Sequence, residues 1–528
     1  MKIYIIICLL FIVKVCISQE TEKNNSIKKF NEVISHINNM YVDEVENKLL
    51  TEAAIIALME ELDPHSTYLS IEDVQDANER INGNFVGIGI RFQILKDTLN
   101  VVATIPGGPS EKIGILAGDK IILIENKSVA GIGLKNSQVR KKLLGEKGSK
   151  VSVGIKRKNK KSLIKFTITR DVIPINSVDA TYMLSKKTGY IKLNTFSRTS
   201  HNEVINGIKK LKKLGMKNLI FDLQGNGGGL LYTAKFLGDE FLSDNKLIVY
   251  SEGRVQPRSN LSCEKKGNWE NGKLIILTDE YSASASEILS GAIQDWDRGL
   301  IIGRRTFGKG LVQRPINLTD GSQLRLTIAR YYTPSGRYIQ KPYEDANSYR
   351  NDLLNRYENG EFTNQDSIKL PDSLKYKTLK SKRTVYGGGG IMPDYFVPLD
   401  TSGISDYYTS IISGGHLNSY ILTYVNNNRE QLRNNYPTFK IFKNEFIISK
   451  NFMDSFFNYI ESEDSNLKFD ENGYLESKEI LELRIKAMLA QNLWGYDEFY
   501  QIYNQSNEAL QKAIEIIETN EYYNLLSK

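Results

Sequence analysis

The feature that most narrows what this chain can fold into is a pattern recurring between residues 218 and 310. Asn218-Leu219-Ile220-Phe221-Asp222-Leu223 is a short apolar β-run that leads into Gln224-Gly225-Asn226-Gly227-Gly228-Gly229 and a helical stretch from Leu230 to about Leu242. Lys273 to Thr278 repeats the run and leads into Ser282-Ala283-Ser284-Ala285-Ser286-Glu287, which opens a helix reaching about Asp295. Leu300-Ile301-Ile302-Gly303 repeats it again, before Arg304-Arg305-Thr306-Phe307-Gly308-Lys309-Gly310. Buried strands alternating with helices pack as a mainly parallel sheet. In such a sheet ligands lie outside the carboxyl ends of the strands. The glycine loop, Ser284 and Lys309 all fall at that end, so three remote segments are expected to share one crevice.

At 528 residues the chain exceeds one ordinary domain, and the expected architecture is multidomain α+β. Residues 19–75 carry apolar residues at helical spacing (Ile27, Phe30, Ile34, Ile37, then Leu49, Ala53, Ile56), with Asp63-Pro64-His65-Ser66 stopping the second helix. Residues 76–170 switch to a period of two and read as a small β module, in which Phe85 to Ile90 is a glycine-punctuated strand. Residues 171–400 hold the α/β core, with a polar, irregular insertion at 341–384. Residues 401–528 return to helical spacing as one C-terminal extension.

Composition excludes several function classes. Hydrophobic residues at 41% and charged residues at 25% are those of a soluble globular protein. Lys+Arg (69) and Asp+Glu (62) are interspersed, which gives no nucleic-acid footprint. The one basic run, Lys156-Arg157-Lys158-Asn159-Lys160-Lys161, reads as a solvated hairpin turn, with a contact to anionic lipid or acidic protein as the alternative. Met1-Lys2 and the apolar run Ile3 to Val13 are too short to span a bilayer but suit a secretory leader over residues 1–18. The chain is therefore expected to be exported to the periplasm or cell envelope, anchored if the leader is retained. Cleavage would leave Cys263 as the only thiol, read as a tolerated surface cysteine. His36, His65, His201 and His416 lack metal-ligand spacing, so no metal or cofactor is expected.

Ser284 has two readings. Ser284-Ala285-Ser286-Glu287 matches the S-x-x-E capping box, which would make it a helix cap. A helix start also presents free N–H groups and a positive dipole end, which suits a nucleophile beside an oxyanion. Ser282 and Ser286 are rivals that spacing alone does not remove. Lys309, between two glycines, is either an exposed loop lysine or a desolvated, neutral base. Gln313, four residues on, is either a group that holds its amine by hydrogen bonding or an ordinary polar strand residue. The glycine loop lacks the G-K-[ST] ending of a phosphate loop, so it is either a flexible turn with no partner or a loop whose N–H groups meet a substrate carbonyl oxygen.

These segments resemble the carboxy-terminal processing (tail-specific) serine peptidases. Asp222 to Gly229 is similar to the family's D-L-R-G-N-P-G-G element, Ser282 to Ile288 to its S-A-S-A-S-E-I motif, and Thr306 to Gln313 to its T-F-G-K-G-x-V-Q motif. Leu62 to Tyr68, Phe85 to Ile90, Thr333 to Arg337 and Gly390 to Asp394 also fit, so the resemblance runs from about residue 28 to 398. Gln224 and Gly227 depart from the usual Arg and Pro, and Leu143-Leu144-Gly145 stands where the family often has Leu-Arg-Gly.

The resemblance implies a PDZ-like module followed by a Ser-Lys peptidase core, with Ser284 as nucleophile, Lys309 as general base and Gln313 orienting it. It implies an oxyanion site from the backbone N–H groups of Ala285 and Gly228, and a structural role for Asp295. It implies that Phe85, Gly87, Ile88, Gly89 and Ile90 take the carboxylate and apolar last residues of a protein or peptide substrate. Nucleic acid is not an expected partner; peripheral membrane association and homo-oligomerisation stay open. Two rivals come from other classes: a non-catalytic PDZ-containing envelope scaffold, and an acyl-CoA enzyme with a glycine-loop oxyanion site.

Overall fold

A computed structural model of the chain describes residues 24–158 and 160–527. The leader expected at 1–18, with Cys8 and Cys16, lies outside them. No helix among the described residues is long and apolar enough to cross a membrane. The chain divides into a smaller unit, Met1–Ile71 with Gln313–Thr327, and a larger unit, Glu72–Val312 with Ile328–Lys528.

The smaller unit begins with helices at 24–40 and Asn47–Glu60, followed by the short strand Thr67–Leu69. That strand pairs antiparallel with Gln323, Leu324 and Arg325. Proline ends the second helix as the sequence implies, and Asp63 holds the turn: its Oδ1 accepts the His65 and Ser66 N–H groups at 2.8 and 2.9 Å.

The larger unit is built on a six-stranded sheet. Its order is Val178–Met183, Thr188–Leu193, Asn218–Asp222, Lys273–Thr278, Leu300–Gly303 and Tyr395–Phe396. Only the first pairing is antiparallel. Successive side chains of a strand face opposite sides, so strands that are apolar throughout need a cover on each face. Leu219, Phe221, Leu274, Ile276 and Ile301 pack with residues of the helices Ser200–Lys213, Leu231–Phe241 and Ala285–Asp295. Their neighbours Ile220, Ile275, Leu277, Leu300 and Ile302 pack against Leu510, Ala513, Ile516 and Ile517 of the helix Glu508–Glu518.

That second cover divides the C-terminal extension. Asp406–Ser413, His416–Asn435, Lys450–Glu463 and Glu471–Leu493 enclose a core of their own around Ile411, Val425, Phe442, Phe456 and Leu489. Glu508–Glu518 and Glu521–Ser527 instead lie with the central sheet, and Tyr496–Tyr503 joins the two, with Ile502 in the helical core and Tyr500 against the sheet core. Helical periodicity reports that a face is apolar, not which partner buries it.

The β module forms a sheet in the order Ile90–Leu95, Thr98–Thr104, Lys120–Ile124, Lys150–Lys156 and Ile164–Thr169, with the helix Asn136–Leu143 beside it in one core. The single strand expected over Phe85 to Ile90 is two. Asn84–Gly87 pairs with Asp171–Pro174, while Ile90–Leu95 opens the module's sheet. The break falls at Gly89, whose φ of +74° only glycine adopts without strain. Ile90, Phe92 and Ile94 pack on the module's core, whereas Gln93 donates to Ser419 Oγ at 3.2 Å and Lys96 meets Glu463 at 2.9 Å. In the basic run, Arg157 is not a solvated turn residue: it makes two bonds to the buried Asp119 carboxylate, at 2.8 and 2.7 Å.

Candidate active site

The glycine loop and the serine loop are stitched together by Asn226. Its carbonyl accepts the Ala283 N–H at 3.0 Å and the Ser286 hydroxyl at 2.8 Å, and its Nδ2 donates to Leu193 O at 2.9 Å. Ser282 donates to Leu223 O at 2.8 Å. Both rival hydroxyls are thus fully buried and committed to holding the two loops. Ser284, by contrast, is only half-buried and sits at φ +55°, ψ −111°. For a residue with a Cβ such a conformation costs on the order of 1–3 kcal/mol and survives only where its surroundings impose it.

Those surroundings are two buried side chains. The Glu287 carboxylate accepts four hydrogen bonds: Ser284 N–H (2.8 Å) and Lys309 N–H (2.9 Å) on Oε2, Gly308 N–H (2.7 Å) and the Thr306 hydroxyl (2.5 Å) on Oε1. Burial pushes the Glu287 carboxyl above its usual range, and the four donors work against that shift. The Tyr331 hydroxyl bonds the carbonyl of Ser284 at 3.1 Å and that of Lys309. Burial, then the nearby Glu287 charge, raises the Tyr331 pKa well above its usual value, so it remains a donor. The N–H and the C=O of Ser284 and of Lys309 are therefore anchored on the same two side chains. Lys309 itself is half-buried.

The 341–384 segment supports the lysine loop from outside. It is not irregular as expected: it carries the helices Ala346–Arg350 and Asp352–Glu358 and the strand Lys375–Lys377, which pairs antiparallel with Thr384–Tyr386 at its end. The buried Arg356 donates to Arg305 O (2.8 Å) and Thr306 O (3.2 Å), and Glu361 pairs with both arginines at 2.7 Å.

Gly228 lies against the serine. A Cβ there would come within 2.7 Å of Ala283 O and 2.9 Å of Ser284 Cβ, and its φ is +99°, so the approach requires glycine. Its N–H, expected to face an oxyanion, instead donates to Asn226 Oδ1 at 2.8 Å: an Asn side chain folds readily onto the N–H two residues on. Ala285 opens the helix Ala285–Asp295, so its N–H has no intrahelical acceptor.

Gln313 belongs to the smaller unit, where its Nε2 donates to the His65 carbonyl. Phe85, Gly87, Ile88, Gly89 and Ile90 lie in the β module and its paired ribbon, with the Ile88 carbonyl accepting the Ser110 N–H and hydroxyl. Asp295 forms a fully buried 2.5 Å ion pair with Arg337 and accepts the Ser335 N–H. Cys263 is not a surface thiol. It is 3% exposed among the core residues, and burial, with Asp239 nearby, pushes its pKa up to about 12.

The helix that follows the glycine loop is pinned at its far end by Glu240, which meets His201 Nε2 at 2.9 Å and accepts both the N–H and the Nδ2 of Asn268. Burial pushes this carboxyl up, but the bonds from His201 and Asn268 outweigh it and leave the pKa below its usual value. A lowered native-state pKa contributes stability above the unfolded value that is lost as pH falls through the native one. Glu240→Gln is expected to cost ~1.5–3 kcal/mol at pH 7, as for hydrogen bonds to a charged group. Denaturant melts should show the gap from wild type closing below about pH 4, near the unfolded carboxyl value.

Residues 187–345 match the family model of peptidase family S41, and residues 86–168 that of the PDZ domain. The central segment is a peptidase family S41 domain. It follows a PDZ domain, and residues 407–495 match a family of unknown function (DUF8443). A probable CtpA-like serine protease of Staphylococcus epidermidis is 34% identical over 320 residues, 60% of this chain and 64% of the relative. One from Staphylococcus aureus is 33% identical over 322 residues, 61% and 64% of the two chains. The chain thus spans about 64% of the length of these curated relatives. The solved photosystem II D1 C-terminal processing protease is 29% identical, covering 58% of this chain and 82% of its own, with a TM-score of 0.34. The S41 domain, with the PDZ domain before it and helices at both ends of the described residues, is the multidomain α+β arrangement expected from the sequence.

Four contributors to the site escaped the sequence reading. Glu287 was visible only as a capping-box partner, and its reach to Gly308 and Lys309 was not. Tyr331 and Arg356 carried no local signal, because each acts on backbone remote in sequence; Asn226 lay inside the glycine element, but its bonds to Leu193, Ala283 and Ser286 span remote segments.

Proposed function

We propose that the chain is a serine-type endopeptidase that cleaves exported proteins near their C-termini, with Ser284 as nucleophile and Lys309 as general base. The observation that carries this reading is the shared anchoring of Ser284 and Lys309: two side chains, Glu287 and Tyr331, fix the backbone of both residues. The partly accessible hydroxyl is also that of the strained residue, while the neighbouring serines are spent on structure.

In the proposed reaction Ser284 Oγ attacks the peptide carbonyl carbon and its proton passes to the neutral Lys309 amine. The oxyanion meets the Ala285 N–H at the positive end of the helix Ala285–Asp295, a donor worth ~3–4 kcal/mol of barrier in comparable sites. Lys309 then protonates the leaving amine, and water releases the acyl group. Gly228 would add a second donor only by leaving Asn226. Purified protein should hydrolyse an unstructured peptide and be labelled at Ser284 by a fluorophosphonate. Neither hydrolysis nor labelling would leave a non-catalytic scaffold as the better reading.

The PDZ domain is proposed to hold the substrate's last residues by strand addition, a reading supported by the position of Ile90–Leu95 at one edge of its sheet. The Gly87-Ile88-Gly89 backbone would take the terminal carboxylate. A substrate with a free apolar C-terminus should then be cleaved about tenfold faster than its amidated twin, since one lost charge-assisted contact of ~1.4 kcal/mol is that factor. Equal kcat/KM for the two would sink the tail-reading part of the proposal. The Ile3 to Val13 run is the proposed export signal.

A further inference from the structure

The last helices of the chain approach the glycine loop directly. Asn507 caps the helix Glu508–Glu518: its Oδ1 accepts the Leu510 N–H at 3.1 Å. That bond fixes which side-chain atom is nitrogen, and the nitrogen donates to Gln224 Oε1 at 2.8 Å. Gln224 is the third residue of Asp222 to Gly229, and its own N–H returns to Asp222 Oδ1 at 2.7 Å. Its carbonyl accepts the Lys192 ammonium, which also pairs with Asp222 at 3.1 Å. One residue on, the Gly225 N–H is held by the Asp279 carboxylate at 2.9 Å. Asn226, next along, is the residue stitched to Ala283 and Ser286 on either side of Ser284. All of these contacts lie within the larger unit.

We infer that the C-terminal helical layer is a working part of the catalytic domain, with Asn507 positioning the glycine loop through Gln224. The layer covers one whole face of the central sheet, so the cap residue of its helix is set by packing rather than by a mobile tail. A cleft of about 1300 Å³ opens beside the contact, walled among others by Lys192, Asp222, Asp279, Arg304, Gln224 and Asn507. The inference extends the proposed peptidase reading, and neither the S41 match at 187–345 nor the match at 407–495 reaches Asn507.

Three substitutions separate positioning from bulk stability. Asn507→Ser keeps a capping oxygen but is too short to reach Gln224. Gln224→Leu removes the acceptor, whereas Gln224→Glu keeps one. In steady-state peptide hydrolysis, Asn507→Ser and Gln224→Leu should each lower kcat about five- to tenfold with KM within about twofold, and the double variant should be no slower, as coupled residues behave. Gln224→Glu should stay within about twofold of wild type, by the same reasoning. Amide exchange of Gly225 to Gly229 should quicken in both single variants and no further in the double. Additive losses in kcat, or unchanged kcat and exchange in Asn507→Ser, overturn the inference. If the wild type hydrolyses no peptide, it is the peptidase reading that fails, and exchange alone then decides: quickened in both singles upholds the coupling, unchanged overturns it.

Discussion

Ser284→Ala is expected to lose peptide hydrolysis by on the order of 10⁴-fold or more, the scale seen when a nucleophilic serine is removed, while the protein stays folded. The hydroxyl is the one group lost, and the anchors of this residue are backbone bonds to Glu287 and Tyr331 that alanine retains. The neighbouring serines should behave oppositely. Ser282→Ala and Ser286→Ala each remove a buried hydroxyl that donates to a backbone carbonyl, so each should cost ~1–3 kcal/mol of stability and keep most of the activity. Ser284→Gly adds a sharper contrast. Glycine adopts φ +55° freely, so this variant should be as inactive as alanine yet about 1 kcal/mol more stable than wild type. Chemical denaturation paired with single-turnover kinetics checks all four. Full activity in Ser284→Ala, or a stability loss in Ser284→Gly, would remove the strained-nucleophile assignment.

Lys309→Arg carries the second largest expected effect. Its backbone N–H and carbonyl would still be held by Glu287 and Tyr331, so the loop should keep its place. A guanidinium stays protonated throughout the working pH range, so it cannot accept the Ser284 proton. Hydrolysis is expected to fall by roughly 10³-fold or more, within the range that general acid–base catalysis contributes, with Tm within a few degrees. Fluorophosphonate labelling of Ser284 should slow in parallel, since it too needs the serine deprotonated. An arginine variant with wild-type labelling would move the base role to another group.

Much of this organisation was legible before any coordinates. The three β-runs are continuously apolar because both sheet faces are buried, and their loops at the carboxyl ends carry glycines, Ser284 and Lys309 for reasons local sequence expresses. The S-x-x-E spacing likewise placed Glu287 beside the Ser284 N–H. The remainder depends on groups that meet only after folding. The same Glu287 carboxylate reaches Gly308 and Lys309 in the loop of the next strand, and no periodicity along the chain encodes that contact. Gly228 shows the limit within a single loop: a glycine-rich run leaves its N–H groups free on paper, yet the side chain two residues back captures one of them.

What the sequence alone determined, then, is the elements of the central sheet and which faces are apolar, because propensity and periodicity are local. The tertiary structure decided which surfaces bury one another. It sent Cys263 into a core and turned Arg157 inward onto Asp119. It divided the C-terminal extension between a helical core of its own and the uncovered face of the central sheet. That last choice follows from the need to remove Ile220, Ile275 and Ile302 from water, a demand any apolar helix face could meet and only the fold assigns to Leu510, Ala513 and Ile517.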